Sequence, residues 1–126
     1  VLLAACPAAA CPAPPDPRAL PPEATPIPHN WPEWANYVTG LNARIRATDM
    51  SRVELVFLGD SLLFGYPPEL FQHFHGHRRA MNLAIPGDTT ATLLWRLANG
   101  QWPAQLRPKL VVLLIATLSA MTIVNF

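Results

Sequence analysis

From Val53 to Leu58 the chain is apolar at every position but Glu54, and the run breaks at Gly59-Asp60-Ser61-Leu62. A short continuous apolar run closed by a glycine predicts a strand buried on both faces, as in a parallel sheet. Two more such runs follow. Met81-Asn82-Leu83-Ala84-Ile85 ends at Pro86-Gly87-Asp88-Thr89-Thr90, and Leu110 to Ile115 follows Pro108-Lys109. The pattern therefore predicts strands near 53–58, 81–85 and 110–116.

Before and between these runs the apolar period changes to that of a helix. Trp34, Val38, Leu41 and Ile45 form one stripe, widened by Tyr37, with Asn30 as N-cap, Pro32 in the first turn and Glu33 three residues past the cap. Pro67-Pro68-Glu69 opens a short helix carrying Leu70, Phe71 and Phe74. The Thr89-Thr90 cluster starts another, with Leu93, Leu94 and Leu97 inward, Trp95 on the flank and Asn99-Gly100 as the stop. Helices alternating with strands predict an α/β fold of three α/β/α layers, its parallel sheet joined by right-handed crossovers.

Both ends of the chain differ in kind from this middle. Ten of the 15 prolines lie between Pro7 and Pro32, interleaved with alanine, which predicts an extended or disordered linker over residues 1–29. Val1-Leu2-Leu3-Ala4-Ala5-Cys6 resembles the end of a signal-peptide apolar region, and its last four residues a bacterial lipoprotein box. That reading implies a secreted or extracytoplasmic protein. A plain Ala/Pro low-complexity tract, with a cytoplasmic location, is the alternative. Cys6 and Cys11 could pair, which spacing alone does not decide. At the other end, Leu110 to Phe126 holds 17 residues without a charge, at the lower limit for a membrane span. A buried strand followed by an apolar tail over 118–126 is the favoured reading, with the ordered domain over 30–117.

With 126 residues the chain can bury one small core, and its net charge of +1 gives no reason to expect nucleic acid. His73, His75 and His77 alternate but lack a cysteine or acidic neighbour, so they read as a polar connection rather than a metal site. No cofactor is implied.

The chemistry lies at the ends of the strands. Ligand and catalytic groups of open α/β sheets gather at the carboxyl ends of strands, where Ser61 and Gly87 both fall. Phe57-Leu58-Gly59-Asp60-Ser61-Leu62 resembles the first sequence block of the GDSL, or SGNH, hydrolases, and Asn82 through Leu97 the second. The run from Asn99 to Thr117 resembles the approach to the third. Gly-Asp-Thr-Thr followed by Leu-Trp-Arg-Leu resembles in particular the catalytic subunits of the intracellular platelet-activating factor acetylhydrolases. The likeness covers about 53–117, half the chain.

The resemblance implies a flavodoxin-like fold with strand order 2-1-3 and hydrolysis of a small carboxylic or acetyl ester through an acyl-serine. Ser61 would be the nucleophile. Its own backbone N–H and that of Gly87 would form the oxyanion hole, and Asp60 would order the turn. Homodimerisation, or association with a WD40-repeat regulatory partner, is implied as well. The chain departs from the family in three ways. Leu118 stands where the third block has its oxyanion Asn, Ala84 and Pro86 replace glycines, and the late Asp-x-x-His is absent. A truncated or frame-shifted hydrolase, inactive alone, is therefore expected, with a non-catalytic pseudoenzyme or interaction module, or one attached to a membrane or surface through Cys6 or the apolar tail, as the alternative. The strand from Leu110 to Ile115 is expected to present an uncovered, aggregation-prone edge.

Overall fold

The structure, a computed structural model, describes Ala19, Pro21, residues 24–115 and residues 122–125. Cys6, Cys11, Leu118 and the signal-like segment lie outside the described residues, so the expectations attached to them are not addressed by it.

Helix α1 spans Pro32–Ala47 and is followed by β1, Leu55–Gly59. Two helices, α2 (Ser61–Phe64) and α3 (Pro68–His75), lead to β2, Ala80–Asn82. Helix α4, Thr90–Arg96, then leads to β3, Leu110–Leu114, and β4 is Thr122–Asn125. The sheet order is β2-β1-β3-β4. The first three strands are parallel in the expected order 2-1-3, with Val56 opposite both Met81 and Val111. The ladder runs on past β2, since Leu83 N–H donates to the Phe57 carbonyl at 2.8 Å and Ile85 N–H to the Gly59 carbonyl at 3.1 Å. The apolar run to Ile85 is thus strand-like along its β1 side.

Alternation along the strands sorts the layers. Val56, Leu58, Met81, Leu83 and Val111 share one core with Trp34, Leu41 and Ile45 of α1 and Leu93 of α4. The opposite face carries Phe57, against which Phe71 and His75 of α3 pack with ring centroids 5.1 and 4.9 Å apart. Burying each large apolar side chain contributes roughly 1.5–3 kcal/mol, and this two-sided burial holds β1 at the centre.

The structure corrects three expectations. Trp31, not Asn30, occupies the N-cap of α1, and no side chain caps it; Pro32 sets the first turn instead. Leu94 is exposed and Arg96 turns inward in its place, because Arg96 has a buried carboxylate to meet. The edge of β3 is not bare: β4 pairs with it antiparallel, Leu110 opposite Asn125 and Leu113 opposite Thr122. The β-branched run Thr122-Ile123-Val124 suits a strand, and pairing satisfies backbone groups that an open edge would leave to solvent or to another chain. At the end of the proline-rich stretch, Ile27 N–H donates to the Ala91 carbonyl at 3.3 Å, a contact that an extended linker allows. Among the described residues no helix is long and apolar enough to cross a membrane.

Candidate functional site

Ser61 and Gly87 leave the same end of the sheet. Ser61 lies two residues past Gly59 at the end of β1, and Gly87 two residues past Ile85, whose N–H binds the Gly59 carbonyl. Both residues are exposed. Gly59 is required where β1 hands over, because a Cβ there would fall onto the Leu114 carbonyl oxygen and lie 2.8 Å from Leu63 Cδ1. The close approach of β3 also lets Asp60 N–H reach that carbonyl at 3.2 Å.

Asp60 is the N-cap of α2. Its buried carboxylate accepts from Leu62 N–H at 3.0 Å, and its carbonyl takes the first helical bond, from Phe64 N–H at 3.0 Å. The first N–H groups of a helix have no partner within it. With Leu62 N–H taken by Asp60, the Ser61 N–H is left over. On the other loop, Asp88 N–H closes a turn onto the Ile85 carbonyl at 3.3 Å, with Pro86 and Gly87 in the middle and Gly87 at φ 79. Proline followed by a positive-φ glycine is the type II pattern, which turns the central peptide N–H outward. Among the described residues neither Ser61 N–H nor Gly87 N–H carries a hydrogen bond.

A buried polar network fixes this turn from behind. Asp88 forms an ion pair with Arg96, both side chains fully buried, and also accepts from Trp34 Nε1 at 2.7 Å and Thr92 Oγ1 at 3.1 Å. Arg96 donates further to Gln101 Oε1 and to the Leu83 carbonyl, the latter at 3.1 Å. Burial pulls the Arg96 guanidinium below its ordinary pKa, and the Asp88 charge and hydrogen bond oppose that pull. Thr89 adds a capping box with Thr92 at the start of α4. The sequence pattern does not show the Asp88–Arg96 pair, because Arg96 stands among leucines of helical spacing; an acid and a base eight residues apart across a cap is the available signal.

An aromatic wall joins the two loops. Trp31 ring atoms stand 3.4 Å from where a Gly87 Cβ would be, the Trp31 and Tyr37 rings are 6.2 Å apart, and Tyr37 meets Phe64 of α2 edge-on at 5.2 Å. Tyr37, Phe64, Tyr66 and Ile85 line a groove of about 770 Å³ beside it.

The histidines are placed elsewhere or otherwise occupied. His75 packs among Phe57, Phe71 and Tyr66, and with His77 it lines a cleft by Leu55 and Leu110, toward the amino ends of the strands. Desolvation, with help from the charges of His77 and Arg78, lowers the His75 pKa. His29, which the pattern reading did not single out, stands edge-on to Trp31 on the Gly87 side, and its Nδ1 accepts from Trp31 N–H at 2.9 Å. A neutral ring accepting at Nδ1 carries its proton on Nε2 and offers no second acceptor. Among the described residues no cluster of His, Cys, Asp and Glu could hold a metal ion.

No family model matches the chain. Its sequence is similar to platelet-activating factor acetylhydrolase IB subunit alpha1 of Rattus norvegicus, 40% identical over 65 residues, and equally to that of Homo sapiens. The human subunit alpha2 is 36% identical over 69 residues. Each match covers 51% of this chain and 28% of the relative, so the likeness spans little more than a quarter of those proteins' length.

Proposed function

We propose that this chain carries the nucleophile and two oxyanion donors of a serine ester hydrolase of the SGNH type. One observation carries the reading: an exposed Ser61 and two backbone N–H groups, of Ser61 and Gly87, that have no hydrogen bond among the described residues leave the same end of the sheet. Its likeness to acetylhydrolase subunits agrees with that chemistry. In the proposed reaction Ser61 Oγ attacks the ester carbonyl carbon and gives up its proton to a base. Negative charge develops on the carbonyl oxygen and is held by the two N–H groups. The C–O bond then breaks, the leaving oxygen takes the proton from the base and departs as the alcohol, and an acyl-serine remains for water to cleave. Fixed donors aimed at such an oxygen lower the barrier by about 3–4 kcal/mol each. The groove by Tyr37 and Phe64 offers the apolar part of the ester a surface.

The base is not among these groups. A serine without one keeps little of its nucleophilic advantage, so the chain alone is expected to hydrolyse short esters negligibly. Added imidazole can stand in for the base. With p-nitrophenyl acetate and imidazole, the chain should gain one acetyl group, mapped to the peptide holding Ser61 and lost in Ser61→Ala. Acetylation scattered over surface amines, indifferent to Ser61→Ala, would contradict the reading.

A second reading, as a non-catalytic interaction module, is favoured by the exposed Leu62, Phe64, Leu70 and Phe74 on α2 and α3. A second copy or a WD40-type partner is the proposed occupant, checked by sedimentation of the chain with and without Phe74→Ser.

A further inference from the structure

Asn82 ends β2 and extends its side chain over the face of the sheet that α2 and α3 cover. Its Nδ2 donates to the Leu63 carbonyl at 2.7 Å, and its Oδ1 accepts from Ala84 N–H at 3.0 Å. The first bond reaches the last turn of α2, the helix that begins with Ser61. The second reaches the segment that runs through Ile85 into the Gly87 turn. One planar amide thus spans the two pieces of chain that carry the proposed oxyanion donors.

Neither bond belongs to the sheet ladder, and each holds a backbone group that the ladder leaves out. The Leu63 carbonyl lies in the last turn of α2 and also accepts from Tyr66 N–H at 3.2 Å, so the Asn82 amide is a further donor that ties this four-residue helix to β2. Ala84 N–H follows the residue whose N–H pairs with β1, so it points away from the ladder on the outer edge of β2. The clamp itself is anchored, because Arg44 Nη2 of α1 donates to the Asn82 carbonyl at 3.0 Å. An amide is the group that suits the place: it donates and accepts from one rigid plane, which neither a carboxylate nor a hydroxyl of that length does.

We infer that Asn82 is a positioning residue that sets the distance between the Ser61 and Gly87 N–H groups. The inference rests on the reading of those groups as an oxyanion hole, but its geometry can be tested separately. Misplacement of a reacting group by about 1 Å costs on the order of a hundredfold in rate, so loss of the clamp should be felt in acyl transfer before it is felt in folding.

The test compares wild type with Asn82→Ala, which loses both bonds, and Asn82→Asp, which keeps the acceptor for Ala84 and loses the donor to Leu63. Backbone amide signals are recorded by NMR, and the imidazole-assisted acetylation rate of Ser61 is measured alongside. In Asn82→Ala the signals of Ser61, Leu62, Ala84 and Gly87 should move while those of Val56 and Val111 stay. In Asn82→Asp the Ser61 and Leu62 signals should move and the Gly87 signal should not. Acetylation should fall about tenfold or more in both. Unmoved Ser61 and Gly87 signals in Asn82→Ala, or shifts spread evenly over β1 and β3, would overturn the inference. If Asn82→Ala does not fold, the Asp variant decides by the same signals. Failure of wild type to be acetylated at Ser61 would remove the proposed function, and the amide comparison would still decide whether Asn82 holds the two loops.

Discussion

Arg96 crosses the core to meet Asp88 in an ion pair from which solvent is excluded on both sides. The pair ties the C-terminal end of α4 to the residue directly after Gly87. Its neighbours Trp34, Thr92, Gln101 and the Leu83 carbonyl supply most of the remaining hydrogen bonds, and Arg96 Nε alone of the buried side-chain atoms described has none. Removing one partner leaves the other charge buried and unpaired, at a cost of about 3–5 kcal/mol. Arg96→Leu should lose that much in urea unfolding. A loss under about 1 kcal/mol would mean that water reaches Asp88.

Gly59→Ala should also be damaging, for a different reason. The added methyl would meet backbone, the Leu114 carbonyl, which cannot swing aside as a side chain can. Overpacking typically costs about 1–3 kcal/mol, and here β1 and β3 would have to part. The expected signature is a lowered denaturation midpoint together with loss of amide protection at Asp60.

At Gly87 space is barely sufficient and conformation is the obstacle. With φ at 79, an L side chain costs roughly 1–2 kcal/mol, and the new Cβ would press on Trp31. Gly87→Ala should lower stability by about that amount and slow acetylation of Ser61. Unchanged stability would show that the turn is free to adopt another form.

Much of this was legible in the sequence, for physical reasons. Continuous apolar runs of five or six residues reported the parallel strands, because burial on both faces leaves no polar positions. Pro86-Gly87 reported its turn, since few other pairs fit it. Asp60 as the orderer of the Ser61 turn follows from the short reach of an aspartate to the N–H two residues on. What stayed hidden depended on contacts distant in sequence. Arg96 looks like a surface residue until Asp88 is folded beneath it, and the β-branched run in Thr122–Asn125 suits a strand without naming its partner, β3. Asn82 carries no local signal of its role because its two bonds lie on other segments.

The packing of His75 makes a prediction about pH. Its pKa is lowered by burial first, then by His77 and Arg78, with the Tyr66 hydroxyl 3.4 Å from Nε2 as its polar neighbour. A group whose pKa falls on folding binds fewer protons in the native state, so stability is full above the unfolded value of 6.5 and declines as pH drops through the folded one. Glu54, held low by its hydrogen bond to Lys109 and by Arg79, adds a second decline below its ordinary 4.5. His75→Phe should abolish the upper decline and spare the lower, as read from thermal midpoints across pH. Persistence of the upper decline would assign it to another histidine.

The central claim is that Ser61 and Gly87 act on one oxygen, and a small alkylboronic acid titrated into the isotope-labelled chain tests it most directly. Ser61 Oγ adds to the trigonal boron, its proton passes to buffer, and the anionic tetrahedral adduct presents an oxygen where the oxyanion would form. The Ser61 and Gly87 amide signals should then move together and saturably, and Ser61→Ala should abolish both shifts. A Ser61 shift with Gly87 unmoved, or shifts that survive Ser61→Ala, would contradict the account.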